Sequence, residues 1–425
     1  MSLPAPGSPG FSSLLLRHVL NHSALKGWAV NASLFSTILL ILIVKNGGLI
    51  IDIDNSKSDK IVEVIRAMME SIFGLSVGHL SLSSSTYTEE LPWKLFRSSP
   101  ACISQFSAHA SESIKSLKHD LDSNTRNKRD IHHHLDKGHL IVPQVLVLTG
   151  LESAASTVQM KLCEYFTKKR IEVRAGQVNG TLGDEMLKLC DFNPMVIWIR
   201  RNGADVPWWV IDHFMCATSI QSSEISLPPN DIDLGAVIPQ SYLATLSLLL
   251  PYTHIHPPLA VHISNLFSAL TCHPSLHSAI TQRAVRAFPE YVRAHRLLVG
   301  DFALPNGFEI RLQEEQDGRA RAAKDRQGTG GGVVGVHTWN VLAGEEPDIN
   351  DLRGDCGRGE EELEDWYATP LNVQGVWKVC MIHRIRKRQV RDEVMWLMKG
   401  SASGGMKKGM GRGVGKILDE ILTAV

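Results

Sequence analysis

No excess of either charge is present in this sequence: 44 Lys and Arg balance 44 Asp and Glu. A chain without a net field has no general attraction to nucleic acid or to an anionic membrane surface, so neither is expected as a partner. Paired cysteines are missing too. The seven (Cys102, Cys163, Cys190, Cys216, Cys272, Cys356 and Cys380) are odd in number and show no C-x-x-C spacing. That argues against a disulfide framework or a zinc site and points to a reducing, cytoplasmic setting. Long apolar runs are also lacking. The most apolar stretch, residues 38–44, falls short of the roughly 20 residues that a membrane span needs. A buried core helix is the expected reading, with a membrane tether over 28–44 as its rival. The start of the chain is rich in Pro, Gly and Ser and lacks the basic segment and apolar run of a secretion signal. What is there, at 44% hydrophobic residues, is enough to bury a globular core.

Along the chain, strand and helix signals alternate up to about residue 225. Residues 33–44 read as a buried helix, and Lys45-Asn46-Gly47-Gly48 as a turn. The runs 49–54, 145–148 and 195–199 read as buried strands, with a further strand over 77–82. Helical stripes cover 61–72 and 158–168, and a short helix is expected over 208–215. This alternation predicts an α/β core over 31–225 built on a parallel sheet. A flexible lead over 1–30 precedes it. From 241 to 300 the strand signal fades and prolines, Pro289 among them, punctuate helical spacing, so a helical lid is expected there. An acidic, Gly-rich flexible insertion is expected over 313–365 and a helical extension over 366–425, its helix spanning about 372–399.

Three landmarks recur in a meaningful order: the helix, Gly-Gly turn and strand at 33–54; the apolar strand ending in Leu148-Thr149-Gly150-Leu151-Glu152; and the strand at 196–199 followed by Asn202-Gly203 and Val210-Ile211-Asp212-His213-Phe214-Met215. The set resembles the AAA+ ATPase subunit of magnesium chelatase, and more closely the fungal magnesium-chelatase-like proteins. The resemblance covers about two-thirds of the chain. It implies a P-loop-NTPase-like sheet with a helical lid, ATP and Mg²⁺ as cofactors, ATP-driven insertion of Mg²⁺ into protoporphyrin as the family reaction, and protein partners or a homo-oligomer. It also places a basic hairpin near 161–174, a sensor-2 helix at Thr281-Gln282-Arg283-Ala284, and a finger position, arginine in the family, at His213.

The chemistry of the resemblance is incomplete. A phosphate-binding loop needs glycines so that backbone N–H groups can wrap the phosphates, a lysine to neutralise them and a hydroxyl for Mg²⁺. The corresponding run, Asp54-Asn55-Ser56-Lys57-Ser58-Asp59-Lys60, has no glycine. Lys57 and Lys60 offer charge, but Asp52, Asp54 and Asp59 oppose it; a plain helix start is the simpler reading. Thr149 stands where an Mg²⁺-organising Asp is expected, while Glu152 is either a water-orienting carboxylate or a side chain at a helix start. Asn202 is a sensor-1 candidate or simply a turn residue. His213 cannot supply arginine's permanent fork, and Arg283 is a retained sensor or a solvated residue. No metal site is expected: His132-His133-His134 cannot all face one ion. The expected function is therefore a scaffold with degraded ATPase chemistry. The alternatives are an unconventional NTPase using Lys57, Lys60 and Arg283, or a non-enzymatic assembly protein.

Overall fold

A computed structural model describes residues 3–54, 58–97, 142–174, 187–204, 206–221, 226–227, 236–304, 366–387 and 414–425. Lys57, the His132–His134 run and the 313–365 stretch lie outside those residues. The centre is a five-stranded parallel sheet made of β1 (Gly48–Ile53), β2 (Val77–Ser81), β3 (Val145–Thr149), β6 (Met195–Arg201) and β7 (Phe214–Ile220), in the order β2-β3-β6-β1-β7. Between β3 and β6 the chain makes a separate antiparallel hairpin, β4 (Arg170–Arg174) with β5 (Leu187–Asp191). The expected α/β core with a parallel sheet is thus the fold observed. The central strands β1, β3 and β6 are near-continuous Val/Ile/Leu runs because helices cover both of their faces.

On one face lie α2 (Ala32–Val44) and α3 (Ser58–Ala67). α2 is apolar on all sides, and a helix of that kind must be buried on all sides; Ile38, Leu39 and Leu42 are fully enclosed. Asn31 starts it by accepting a hydrogen bond from the Leu34 N–H at 2.9 Å. The helical stripe expected to run to Ile72 ends as an α-helix at Ala67 and continues as one wider π turn, Met68–Ile72. On the other face lie α4 (Leu91–Arg97), α5 (Ser156–Lys168) and the one-turn α6 (Trp208–Ile211). The helix expected over 208–215 stops there. Phe214 begins β7, the strand at one sheet edge, which the sequence reading missed.

The lid region supplies α7 (Gln240–Leu249), α8 (Pro257–Cys272) and α9 (Gln282–Val299). α9 runs straight through Pro289, read above as punctuation. A mid-helix proline costs ~3 kcal/mol, and burial of Phe288, Tyr291, Val292 and Leu297 offsets it. The lid is also not wholly helical: β8 (Leu276–Ser278) pairs antiparallel with β9 (Ile385–Lys387). The last long helix expected is shorter than its pattern. α10 (Pro370–Met381), opened by a Thr369/Asn372 capping box, ends before β9, and α11 (Val414–Ala424) follows. The lead over 1–30 is not loose either. Its α1 (Phe11–Leu20) buries Phe11, Leu15 and Val19 completely, in one apolar cluster with α2, α9 and α10. Among the described residues no helix is long and apolar enough to cross a membrane.

Candidate functional site

In open α/β sheets, ligands gather outside the carboxyl ends of the strands, where neighbouring strands send the chain to opposite faces. Here β1 leads to α3 on one face, while its neighbour β6 leads to α6 on the other. The crevice between them is therefore the first place to look, and it holds part of the expected set. Lys60 lies exposed in the first turn of α3. Asn202 follows β6, exposed, its N–H bonded to the Ile53 carbonyl at 2.9 Å. The turn reading of Asn202 also holds, since Gly203 has φ +78°.

The crevice also contains pairs that sequence reasoning missed. Asp52 of β1 and Arg200 of β6 are register partners. The guanidinium grips both carboxylate oxygens, at 2.6 and 2.9 Å, with both side chains largely covered. A bidentate pair of this kind consumes the fork that would otherwise hold a phosphate. Arg200 also lies over the Trp198 ring, 5.4 Å from its centroid. Trp198 in turn donates its Nε1–H to Glu152 at 3.2 Å. Glu152 is thus drawn to an indole on the face covered by α5, not to the face that carries α3 and Lys60. Thr149 points to the α3 face, where its hydroxyl bonds His79 Nε2 at 3.0 Å. Burial, and then the neighbouring Arg66, hold the His79 imidazole below its ordinary pKa.

The turn that carries Glu152 depends on Gly150. Its φ is +71°, and a Cβ there would stand 2.2 Å from the Leu82 carbonyl oxygen. Gly150→Ala should therefore cost about 2 kcal/mol or more, read as a lower urea midpoint, because neither backbone segment can give way cheaply.

Arg283 is not in the crevice. It lies at the opposite end of the strands, beside a cavity lined by Gly48, Met195 and Phe214, which begin β1, β6 and β7. Its Nη1 lies 3.1 Å from Nδ1 of His213. Burial, and then the Arg283 charge, push His213 down to about 4, so the imidazole is neutral near pH 7 and accepts this bond. Sequence reading treated Arg283 and His213 as separate nucleotide elements; they form one pair, away from Lys60 and Glu152. The reason is that the lid helix α9 packs behind α2 and the amino ends of the sheet rather than over the crevice.

Beside that pair sits a buried cluster also absent from the sequence reading. Arg384, fully enclosed, donates to Asp212 Oδ1 at 2.8 Å and to the Phe214 carbonyl at 2.9 Å. The Thr281 hydroxyl bonds the same carboxylate oxygen, and His383 Nε2 meets the Phe214 carbonyl at 2.8 Å. Among the described residues, no group of three or more His, Cys, Asp or Glu side chains is arranged to hold a metal ion.

No protein-family model matches this sequence, and no curated protein matches it. Among solved structures it is similar to one described as a "putative ATPase" from Cytophaga hutchinsonii, with TM-score 0.52 and 10% identity over 97% of this chain and 94% of that one. At that identity the likeness concerns shape alone: this chain shares the α/β fold of that structure.

Proposed function

We propose that this chain uses an ATPase-type fold to bind and organise protein partners, or copies of itself, and does not hydrolyse ATP efficiently. The observation that carries the reading is the Asp52–Arg200 pair. At the carboxyl ends of β1 and β6, an arginine that could otherwise meet a phosphate is already neutralised by a carboxylate in bidentate contact. The other groups fit a magnesium nucleotide no better. The Thr149 hydroxyl bonds His79, Glu152 is held by Trp198, and the segment between β1 and α3 has no glycine and carries Asp54, with Asp59 following in the first turn of α3. The residues present therefore do not fit ATP with Mg²⁺ as a resident group. The resemblance to magnesium-chelatase subunits suggests that the partners are other subunits of a multi-protein machine.

Calorimetric titration with MgATP tests this. No saturable heat up to millimolar nucleotide, and no phosphate release above background, are the expected results. Micromolar binding that weakens in Lys60→Ala or Glu152→Gln would overturn the reading. It would favour an unconventional nucleotide site instead, an alternative supported by Lys60 and Asn202 sharing one crevice.

A further inference from the structure

The lid helices α8 and α9 enclose a groove of about 700 Å³ that takes no residue from the central sheet. Concavities of ~300–1,000 Å³ are large enough to seat a sizeable ligand. Ile263 and Phe267 of α8, with Val285 and Pro289 of α9, give it an apolar lining. Along α8 it runs from Ala260 to Cys272. At ~1.5 Å per residue that is about 18 Å, a little over three helical turns.

The two walls differ in charge. α8 is a 16-residue helix with no Lys, Arg, Asp or Glu, although Ala260, Val261, Ser264, Asn265, Ser268 and Thr271 are all exposed. A helix whose outer face meets only water ordinarily carries charged residues there, whereas depletion of charge marks the centre of protein interfaces. The small side chains of Ala260, Ser264 and Ser268, four residues apart, line the groove and leave room for another backbone to come close. α9 supplies charge of one sign. Arg293 lines the groove, and no Asp or Glu does. Arg286 is exposed on the same stripe of α9, four residues after Gln282 and three before Pro289. Glu290, the one acid of α9, is held by Arg293 at 2.7 Å. Arg286 has no carboxylate partner among the described residues, so this rim stays positive.

We infer that the groove between α8 and α9 is the docking site for an amphipathic helix of a partner protein, its apolar stripe seated between the two helices and its acidic residues facing Arg286 and Arg293. Anchors at i, i+4, i+7 and i+11, the spacing used in helix-in-groove recognition, span about 16 Å and match the length of the groove. The inference deepens the partner-binding reading, on which it rests, by naming the face and the class of partner. Failure of that reading shows as MgATP binding at the crevice; failure of this inference shows at the groove alone, so the two are told apart.

Fluorescence anisotropy of a labelled, helix-forming peptide, titrated with the full-length protein, tests the assignment. The probe has about 16 residues, with leucines at the anchor spacing and glutamates beside them. Saturable binding is expected, about ten-fold weaker for the same peptide with lysine in place of glutamate. Ser264→Glu, which sets a carboxylate on the groove wall, should weaken the acidic peptide about ten-fold or more. Asn265→Glu adds the same charge about 100° further round α8 and should leave its affinity nearly unchanged. Both positions are exposed, so an unchanged melting temperature separates binding from folding. Arg286→Glu should weaken the acidic peptide and strengthen the lysine peptide. Absence of saturable binding, equal affinity for the two peptides, or equal effects of Ser264→Glu and Asn265→Glu overturns the inference. Two further results also overturn it. Binding that appears only when Glu360, Glu361, Glu362 and Glu364 are changed to Gln in the full-length chain assigns the groove to this chain's own acidic run. A dimer dispersed by Ser264→Glu assigns it to a second copy.

Discussion

Replacing Arg384 by alanine should lower the unfolding free energy by ~3–5 kcal/mol, the usual result of breaking one partner out of a buried ion pair. The side chain is fully enclosed and ties Asp212, the start of β7 and, through β9, the lid strand β8 into one unit. Without it, among the described residues, the Asp212 carboxylate keeps the Thr281 hydroxyl as its side-chain donor, and the Phe214 carbonyl keeps His383 as its side-chain donor. Urea unfolding at pH 7 measures the loss. The double change Arg384→Met with Asp212→Asn should recover part of it, because the uncompensated charge is gone. A loss below ~1 kcal/mol for Arg384→Ala, in the range of an exposed pair, would show that the pair is solvated and contributes little.

Acidification should weaken the fold well above the pH at which ordinary carboxylates titrate. Burial, and then Arg283, push His213 down to about 4, and burial is also the leading cause that lowers His79, His295 and His383. Each is held neutral in the fold, whereas in the unfolded chain each takes up a proton near the ordinary value of about 6.5. Between about 6.5 and the lower folded values the unfolded state carries more protons, so stability falls as pH falls through that window and is fully present above it. For His213 alone the interval from 6.5 to about 4 corresponds to ~3 kcal/mol at its lower end. Asp212 acts in a lower window. Burial opposes its ionisation, yet the Thr281 and Arg384 hydrogen bonds hold its pKa below the ordinary value, so its contribution is lost only as pH drops through that lowered value. Urea midpoints at pH 7.5, 6, 5 and 4.5 check this. A steady decline below about 6.5, less steep in His213→Gln, is expected; a flat profile to pH 5 would contradict it.

Much of the framework was readable because it is written in local patterns. The β1, β3 and β6 segments are uninterrupted apolar runs, and α2 is apolar on every side, so their burial follows from composition alone. Boundaries failed where a tertiary contact overrides local preference. Phe214–Ile220 reads poorly as a strand because Cys216, Ala217, Thr218 and Ser219 are not strongly apolar; it is a strand because β1 offers an open edge for pairing. Pro289 reads as a break, yet the packing of Phe288 and Tyr291 carries α9 through it.

By itself the sequence determined that the segment after β1 has no glycine and that strands alternate with helices. Those are matters of residue type and order, and they sufficed to question ATP chemistry. Only the tertiary structure decided who meets whom. Asp52 and Arg200 lie 148 positions apart, and Arg283 and His213 lie 70 apart. Each pairing depends on strand order or on which side the lid packs, which no local pattern records.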